Sequence, residues 1–187
     1  MNLVFLGPPG AGKGTQAARL CAALRIAHIS TGDMLRAAVA AGTPVGRQAQ
    51  GYLDRGALVP DQVIAALVEE RVQADDCAAG FLLDGFPRTL PQAELLDAAL
   101  DRLSLALDAV ILLDVPEAEL LRRLSARGEG RSDDRPEVIR HRLEVYREQT
   151  EPLRDVYEQA GLLREVDGQG TPDAVFARVR TAAGAAA

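Results

Sequence analysis

The sequence predicts an α/β fold, a five-stranded parallel sheet flanked by helices, and two observations lead to it. Five short apolar runs alternate with segments of helical periodicity along the 187-residue chain, which is typical of βα units that pair into a parallel sheet. A glycine-rich loop follows the first run and leads into a helix. The length and the lack of a long linker indicate a single domain. We expect strands at residues 3–6, 27–29, 81–83, 109–113 and 163–166.

The loop after the first strand, residues 7–15, reads Gly-Pro-Pro-Gly-Ala-Gly-Lys-Gly-Thr. Its glycines let backbone N–H groups turn inward, and the helix N-terminus beyond them adds its dipole, so the segment suits a phosphate group. Lys13 adds a point charge for the outer phosphates. The spacing predicts a phosphate-binding loop with one departure, since Gly14 stands where Ser or Thr is usual and Thr15 follows. A plain glycine-rich turn between strand and helix is the alternative.

Lys13 is also the only lysine in the chain, although lysine and arginine together number 21. Arginine therefore supplies the positive charge at the other basic side chains. Because a compact ammonium and a planar guanidinium are not interchangeable at such a site, the single lysine indicates a position that needs an ammonium.

The bulk composition excludes several classes of function. The net charge of −6 argues against a surface that coats nucleic acid. Cys21 and Cys77 form no metal-type cluster and are interpreted as reduced thiols, while His28 and His141 show no ligand spacing and are interpreted as structural. With no basic-then-apolar leader and no apolar stretch of about 18 residues, we expect no membrane partner and a cytoplasmic location.

The second strand leads into a segment rich in small residues, 32–56, whose pattern predicts a compact helical flap before the third strand. Ser30 or Asp33 is expected to cap its first helix, because short polar side chains accept hydrogen bonds from orphan N–H groups there. Arg36 lies one turn into that helix. It could reach a second anion or be a solvated surface arginine, and the spacing leaves both open.

The third strand ends in Asp84, and a carboxylate at that position beside a phosphate-binding loop is suited to organising magnesium. Gly85 and Pro87 form a stiff turn that holds Arg88 near the same edge of the sheet. Gln92 follows in the first turn of the next helix. Its amide has a donor and an acceptor that suit a nucleobase edge, although a glutamine on a helix surface is the commoner case.

Eight arginines fall between residues 122 and 147, and helical phase, at about 100° per residue, distinguishes them. Arg123 and Arg127 flank the apolar stripe of the first helix in this region. The next helix is expected to begin with a capping box at Asp134, and Arg142 falls in the middle of its apolar face. A charge there must be paired or face a ligand, and the nearby phosphate site favours the ligand over a buried salt bridge.

These motifs together resemble adenylate kinase. The resemblance rests on residues 7–16, 30–36 and 84–89 with the arginine pairs, spans residues 1 to about 180, and accounts for Gly14, since that family has Gly-Lys-Gly-Thr. Between Arg127 and Arg131 only Gly-Glu-Gly remains, so the resemblance is to a short-lid form that lacks the long insert, and no structural zinc is implied. It implies a P-loop NTPase-type core at 1–29, 60–125 and 133–187, an NMP-binding flap at 30–59 and a lid at 126–132.

The resemblance also implies a reaction, reversible phosphoryl transfer from MgATP to AMP giving two ADP, by a monomer. The residues implied on the ATP side are Gly10, Ala11, Gly12, Lys13, Gly14, Thr15, Arg123, Arg127 and Gly170. Those implied on the AMP side are Thr31, Arg36, Ala57, Leu58, Val59, Gly85, Phe86, Pro87, Arg88, Gln92, Arg131 and Arg142. The implied catalytic groups are Lys13, Asp84, Arg88, Arg123, Arg131 and Arg142. Magnesium would be held through nucleotide and waters near Asp84 and Thr15.

Three other functions compete with this one. Kinases of pyrimidine nucleoside monophosphates have a sequence like Ser-Ala-Gly at the positions of residues 30–32, and they have Asn after Phe-Pro-Arg. Thr31, Thr89 and Gln92 therefore favour AMP. A GTP-driven switch needs Asn-Lys-x-Asp, which cannot occur because Asn2 and Lys13 are the only residues of their types. A non-catalytic nucleotide-binding module stays open.

Overall fold

A computed structural model of the chain describes residues 1–126 and 135–184. It contains one five-stranded sheet in which every neighbouring pair of strands is parallel, in the order β2-β3-β1-β4-β5. The predicted fold class is confirmed, and each predicted strand is found with its ends shifted by at most one residue. The strands are β1 (Asn2–Leu6), β2 (Ala27–Ser30), β3 (Phe81–Asp84), β4 (Ala109–Asp114) and β5 (Leu163–Asp167).

Helices cover both faces of the sheet. Within the described residues none of them has the length and apolar character that crossing a membrane requires. They are α1 (Lys13–Leu24), α2 (Thr31–Ala40), α3 (Pro44–Arg55), α4 (Asp61–Val72), α5 (Leu90–Arg102), α6 (Glu117–Ala126), α7 (Pro136–Val145), α8 (Leu153–Gln159) and α9 (Pro172–Ala182).

Two hydrophobic clusters, one on each face of the sheet, hold these layers together. Side chains alternate along β1, so that Val4 packs into the cluster that includes α4 and α5, while Leu3 and Phe5 pack into the cluster that includes α1 and α9. The strands read as continuous apolar runs because both faces of a parallel sheet are covered. This packing fixes the positions at which the strands end.

The order of the strands determines where along the sheet a ligand site can form. The chain runs from β1 to β2 and then inserts β3 beside β1, after which it crosses to β4 and β5 on the other side. Phe5 therefore stands opposite Asp84 on one side and Ile111 on the other. Ligands of open α/β sheets bind at the carboxyl ends of strands where the order reverses, and here the segments after β1 and β3 meet at that point.

The predicted helical pattern of residues 32–56 is confirmed as two helices, α2 and α3. The Ser30 hydroxyl accepts a hydrogen bond from the Asp33 N–H and caps α2. The two helices pack almost backbone to backbone, since a Cβ at Gly46 would lie 2.0 Å from the carbonyl oxygen of Ala38. Gly56, in the left-handed conformation at φ 71°, ends α3.

The start of α7 differs from the predicted one. Arg135 is its N-cap and makes no side-chain capping bond, and a proline occupies the first turn, where its fixed φ suits a helix start. Asp134, the predicted capping residue, lies outside the described residues. A second difference follows α7, because residues Tyr146–Thr150 form a π-helical turn that no pattern in the sequence predicts.

Candidate active site

The loop after β1 closes around the Lys13 side chain. Its ammonium donates hydrogen bonds to the carbonyl oxygens of Gly7, at 2.6 Å, and Pro8, at 3.0 Å. Gly12 takes a left-handed conformation at φ 95° directly before α1, which glycine adopts without strain. The loop is thereby held in the strand–loop–helix arrangement that cradles phosphates, as its spacing predicts.

Asp84, at the end of β3, lies beside this loop. Its carboxylate is 3.5 Å from the point where a Cβ on Gly14 would stand, and 3.7 Å from His28 Nε2, too far for a hydrogen bond. Burial raises the pKa of Asp84, but His28, Lys13 and Arg88 together outweigh that effect and hold the pKa below its usual range. Asp84 is therefore an ionised carboxylate at neutral pH, although its side chain is only 12% exposed.

Four cations from four separate segments converge on one cleft. Lys13, Arg36, Arg88 and Arg142 all line a cavity of about 510 Å³ at the carboxyl edge of the sheet, together with Asp84. Such a concentration of positive charge in a cleft focuses the field on an anionic ligand. The sequence left Arg36 and Arg142 between two interpretations, and the structure brings both toward the loop that carries Lys13.

A second, smaller cavity continues from this cleft under the flap helices. Arg142 from α7 forms part of its wall beside Gly56, and an added Cβ on Gly56 would approach Arg142 Cγ to 2.8 Å. The end of the flap at Gly56 therefore packs directly against α7, the helix that carries Arg142. Predicted AMP-side residues that line this cavity are Thr31, Arg36, Ala57, Leu58, Val59, Gly85, Arg88, Gln92 and Arg142.

Gln92 is buried, and hydrogen bonds fix the orientation of its amide. Its Oε1 accepts from the Arg88 backbone N–H at 2.7 Å, and its Nε2 donates to the Asp61 carboxylate at 2.7 Å. The Thr89 hydroxyl donates to the same carboxylate oxygen at 3.2 Å. Because a carboxylate only accepts, the Gln92 amide has one defined orientation, with one N–H and one oxygen lone pair left for other partners.

Arg123 does not line the cleft. It braces the loops around it, donating from Nη1 to the carbonyl oxygen of Ala11 at 3.2 Å and from Nη2 to that of Gly168 at 2.9 Å. Its Nε donates to Glu119 at 2.7 Å. Hydrogen bonds from Arg122 and Arg123 lower the pKa of Glu119 to about 2, so the carboxylate keeps its charge at any physiological pH.

The Gly168 and Gly170 loop after β5 is ordered by its own contacts. The Gly168 N–H donates to the carbonyl oxygen of Asp114 at 2.7 Å, and Gly170 adopts a left-handed φ of 101°. Arg178 donates to the carbonyl oxygens of Asp167 and Gln169. The predicted ATP-side position Gly170 is thus held next to the Arg123 brace.

One further predicted side chain lies outside the cleft, and two predicted arginines fall beyond the described residues. The Phe86 side chain is 1% exposed and belongs to the core, so only its backbone faces the turn that carries Arg88. Arg127 and Arg131 lie outside the described residues, as does the lid from 127 onward. Across 1–126 and 135–184, no three His, Cys, Asp or Glu side chains are grouped so that they could hold a metal ion.

Sequence reasoning missed four polar residues at this site. His28, interpreted as structural, lines the cleft beside Asp84, and its polarity in an otherwise apolar strand was the available signal. Glu119 stands four residues before Arg123, a pairing that the helical spacing could have revealed. Asp61 and Thr150 left no signal, because their partners, Gln92 and Arg88, are distant in sequence.

The fold and the paired cationic cavities on one sheet edge define a P-loop kinase that acts on nucleoside monophosphates. The adenylate kinase family matches residues 5–162, which is most of the chain. The chain therefore belongs to the adenylate kinase family and transfers the terminal phosphoryl of ATP to AMP, giving two ADP. This decides against the pyrimidine-specific kinase, the GTP-driven switch and the non-catalytic module.

Relatives named adenylate kinase match nearly the full chain. The protein of Thermobifida fusca is 54% identical over 184 residues, covering 97% of each chain. That of Thermus thermophilus is 53% identical, covering 97% of this chain and 96% of its own. The Thermodesulfovibrio yellowstonii protein is 49% identical over 205 positions, covering 94% of this chain and 95% of its own. Those 205 positions exceed the 187 residues here, so that relative carries residues which this chain lacks.

Proposed function

We propose that the cleft holds ATP and AMP side by side, so that the phosphoryl group passes directly between them. The observation that carries the proposal is the meeting of Lys13, Arg36, Arg88 and Arg142 around one cavity of about 510 Å³. Two nucleotides bring several negative charges into a small volume. Cations from four segments are the groups that can neutralise those charges as one phosphoryl moves.

AMP occupies the cavity under the flap. Arg36 and Arg88 in its lining bind the phosphate. The Gln92 amide binds the base with the N–H and the lone pair that Asp61 and the Arg88 backbone leave unused. Predicted contacts of the same pocket are made by Thr31, Gly85, the backbone of Phe86 and Pro87, and the segment Ala57, Leu58 and Val59.

ATP occupies the loop side of the cleft. The N–H groups of residues 10–15 and the α1 N-terminus face its phosphates, with Lys13 at the outer ones. Arg123 contributes by tying the loop at Ala11 to the segment of Gly168 and Gly170, whose backbone meets the adenine. Arg127, outside the described residues, completes this side.

Magnesium fits the residues present. Mg²⁺ is usually held by one or two carboxylates together with substrate phosphates and waters, and ionised Asp84 beside the loop matches that description. Asp84 and the Thr15 hydroxyl would organise the ion through its waters. When bound, it supplies positive charge at the phosphate oxygens.

The chain's own groups complete the transfer. Lys13, Arg88 and Arg142, with Arg131 from outside the described residues, hold the phosphoryl oxygens. A phosphate oxygen of AMP attacks in line as the bond to the bridging oxygen of ATP breaks and ADP leaves. No side chain carries the phosphoryl, because the cavity that holds AMP adjoins the cleft that holds ATP and shares Arg36, Arg88 and Arg142 with it. The flap (30–59) and the lid (126–132) close over the core (1–29, 60–125, 133–187) and keep out water, the competing acceptor.

A bisubstrate analogue, two adenosines joined by five phosphates, tests the arrangement. We expect calorimetry to give one analogue per chain, displaced by ATP and by AMP. Arg36→Ala should weaken the binding of AMP by about tenfold or more, while the binding of ATP stays within twofold. Arg102→Ala, which removes an exposed arginine paired with Glu69 on the outer surface, is the control. Two independent analogue sites, or displacement by ATP alone, would contradict the proposal.

We further propose that the enzyme acts as a monomer, because one chain supplies groups for both nucleotide sites, and that it acts in the cytoplasm. Light scattering at micromolar concentration is expected to give the mass of one 187-residue chain. A dimer whose activity falls on dilution would contradict this part of the proposal.

A further inference from the structure

A part-buried hydrogen bond joins the segment that carries Arg88 to the helix that carries Arg142. The Thr150 hydroxyl, on a side chain from a residue that is 6% exposed, donates to the carbonyl oxygen of Arg88 at 2.8 Å. Thr150 ends the π-helical turn that continues α7, while Arg88 belongs to the turn after β3. The bond therefore ties the helix that carries Arg142 to the backbone of Arg88.

Two further hydrogen bonds of Arg88 lie within its own segment. Its N–H donates to Gln92 and its Nε donates to the carbonyl oxygen of Gly85, both at 2.7 Å. These bonds set the shape of the turn, but they do not set its distance from α7. Thr150 lines the same small cavity as Lys13, Arg88 and Arg142, so its bond lies where the spacing of those cations is decided.

The π-helical turn is what aims Thr150 at Arg88. The Glu151 N–H bonds to the carbonyl oxygen of Tyr146, five residues back, at 2.9 Å, so the turn holds one residue more than an α-helical turn. The extra residue rotates the chain beyond it by about 100° relative to a continued α-helix. Arg142 can thus face the cleft from α7 while Thr150, two turns later, faces the Arg88 carbonyl. Single π-turns within helices are frequent at functional sites.

We propose that Thr150 is a positioning residue for phosphoryl transfer, setting the separation between Arg88 and Arg142 through the Arg88 backbone. The inference rests on the proposed roles of those two arginines. A displacement of about 1 Å in a catalytic group can cost on the order of a hundredfold in rate. Loss of the hydrogen bond between Thr150 and Arg88 therefore affects the reaction through the positions of the two arginines.

The test compares two substitutions at Thr150. Thr150→Val keeps the shape and removes the donor, while Thr150→Ser keeps the donor. We expect the first to lower kcat/KM for AMP by roughly tenfold to a hundredfold, and the second to stay within about threefold of wild type. The Kd of ATP should change by less than twofold in both, because the Thr150 hydroxyl bonds to the Arg88 carbonyl oxygen and not to a residue of the phosphate-binding loop. If Thr150→Val does not fold, Thr150→Ala takes its place.

Thr181→Val is the matched control. The Thr181 hydroxyl also donates to a backbone carbonyl oxygen, that of Ala177 at 3.1 Å, but it lies on α9 away from the cleft. We expect its kinetic constants to stay within twofold of wild type. Equal losses in Thr150→Val and Thr150→Ser, or a Thr150→Val enzyme with wild-type kcat/KM, would overturn the positioning role.

A double-mutant cycle with Arg88→Ala separates positioning from general stability. If Thr150 acts through Arg88, Thr150→Val should change kcat/KM by less than about twofold when Arg88 is already absent, because coupled residues are not additive. Equal effects in both backgrounds would overturn the inference. Full activity of Arg88→Ala alone would instead refute the proposed function, so the two failures are distinguishable.

Discussion

The Lys13 ammonium lies 2.6 Å from the carbonyl oxygen of Gly7 and is wrapped by the loop that it serves. This enclosure suits a small cation with three donors. A guanidinium is wider and planar, and it presents its donors in a fixed fork. The geometry therefore supplies a physical reason for the one lysine in a chain that otherwise uses arginine.

The first prediction concerns substitutions of Lys13. Lys13→Met should lower kcat by about 10³-fold or more, and Lys13→Arg should fail to restore it, because the fork does not fit between the carbonyl oxygens of Gly7 and Pro8. A coupled assay of ADP formation measures both. Arg102→Lys, the opposite exchange at an exposed pair with Glu69, is expected to retain full activity. Turnover of Lys13→Arg near the wild-type value would refute the argument.

A second prediction concerns Gly56, the residue that ends α3. An added Cβ would lie 2.8 Å from Arg142 Cγ and 2.9 Å from Val138 Cγ1, at a φ of +71°. Gly56→Ala should therefore cost about 2–4 kcal/mol in unfolding free energy, from left-handed strain and crowding together. It should also raise KM for AMP several-fold, because relief of the crowding moves Arg142 or the flap. Urea unfolding and initial rates measure the two effects.

Gly161→Ala is the matched control for that substitution. Gly161 has the same φ of +71°, with nothing within 4 Å of an added Cβ, so its variant should lose only about 1–2 kcal/mol from the left-handed conformation. Its KM for AMP should not change. If both variants lose the same stability and neither alters KM, contact between the flap and Arg142 has no part in AMP binding.

Features set by local sequence patterns could be predicted, whereas contacts between distant segments, such as that of Gly56 with Arg142, could not. Strands, the phosphate-binding loop and the flap helices follow from local patterns of apolar and small residues, and all of them were predicted. The partners of Asp61, Gly56 and Thr150 are long-range and depend on how helices cross, which no local pattern encodes. The π-helical turn at Tyr146–Thr150 was missed for the same reason, since the hydroxyl of its last residue bonds to Arg88, which is distant in sequence.

A third prediction concerns Asp61, which orients Gln92. The Asp61→Asn side chain can present its amide N–H₂ to Gln92 Nε2, replacing a charge-assisted bond of 2.7 Å by a contact between two donors. We expect kcat/KM for AMP to fall about tenfold or more, as for loss of a bond to a charged group worth about 1.5–3 kcal/mol. The Kd of ATP should be unchanged. Asp155→Asn, at an exposed position in the first turn of α8, is the control.

A fourth prediction concerns the brace formed by Glu119 and Arg123. Glu119→Gln keeps the shape but removes the charge that holds Arg123 Nε at 2.7 Å. KM for ATP should rise about three- to tenfold while KM for AMP stays constant, because Arg123 ties together only the ATP-side loops. Arg122→Ala removes the other partner of Glu119, an arginine side chain that is 68% exposed, and should have little effect. Equal changes in the two variants would show that the brace is not used.

The last prediction concerns pH and Asp84. The pKa of this carboxyl is lower in the folded chain than its ordinary value of 3.8, so near that pH the unfolded chain binds more protons than the folded one. The contribution to stability is therefore complete above the ordinary value and is lost as the pH falls through the folded one.

Comparison with Asp84→Asn isolates this contribution, because that variant has no titrating carboxyl at position 84. We expect the stability of the wild type relative to this variant to be higher above about pH 5, where Asp84 is ionised in both states, and to fall as the pH drops below the ordinary value of 3.8. Urea midpoints measured across that range in the absence of nucleotide give the difference directly. A difference that grows on acidification would mean that burial, which raises the pKa of Asp84, outweighs the attraction of His28, Lys13 and Arg88.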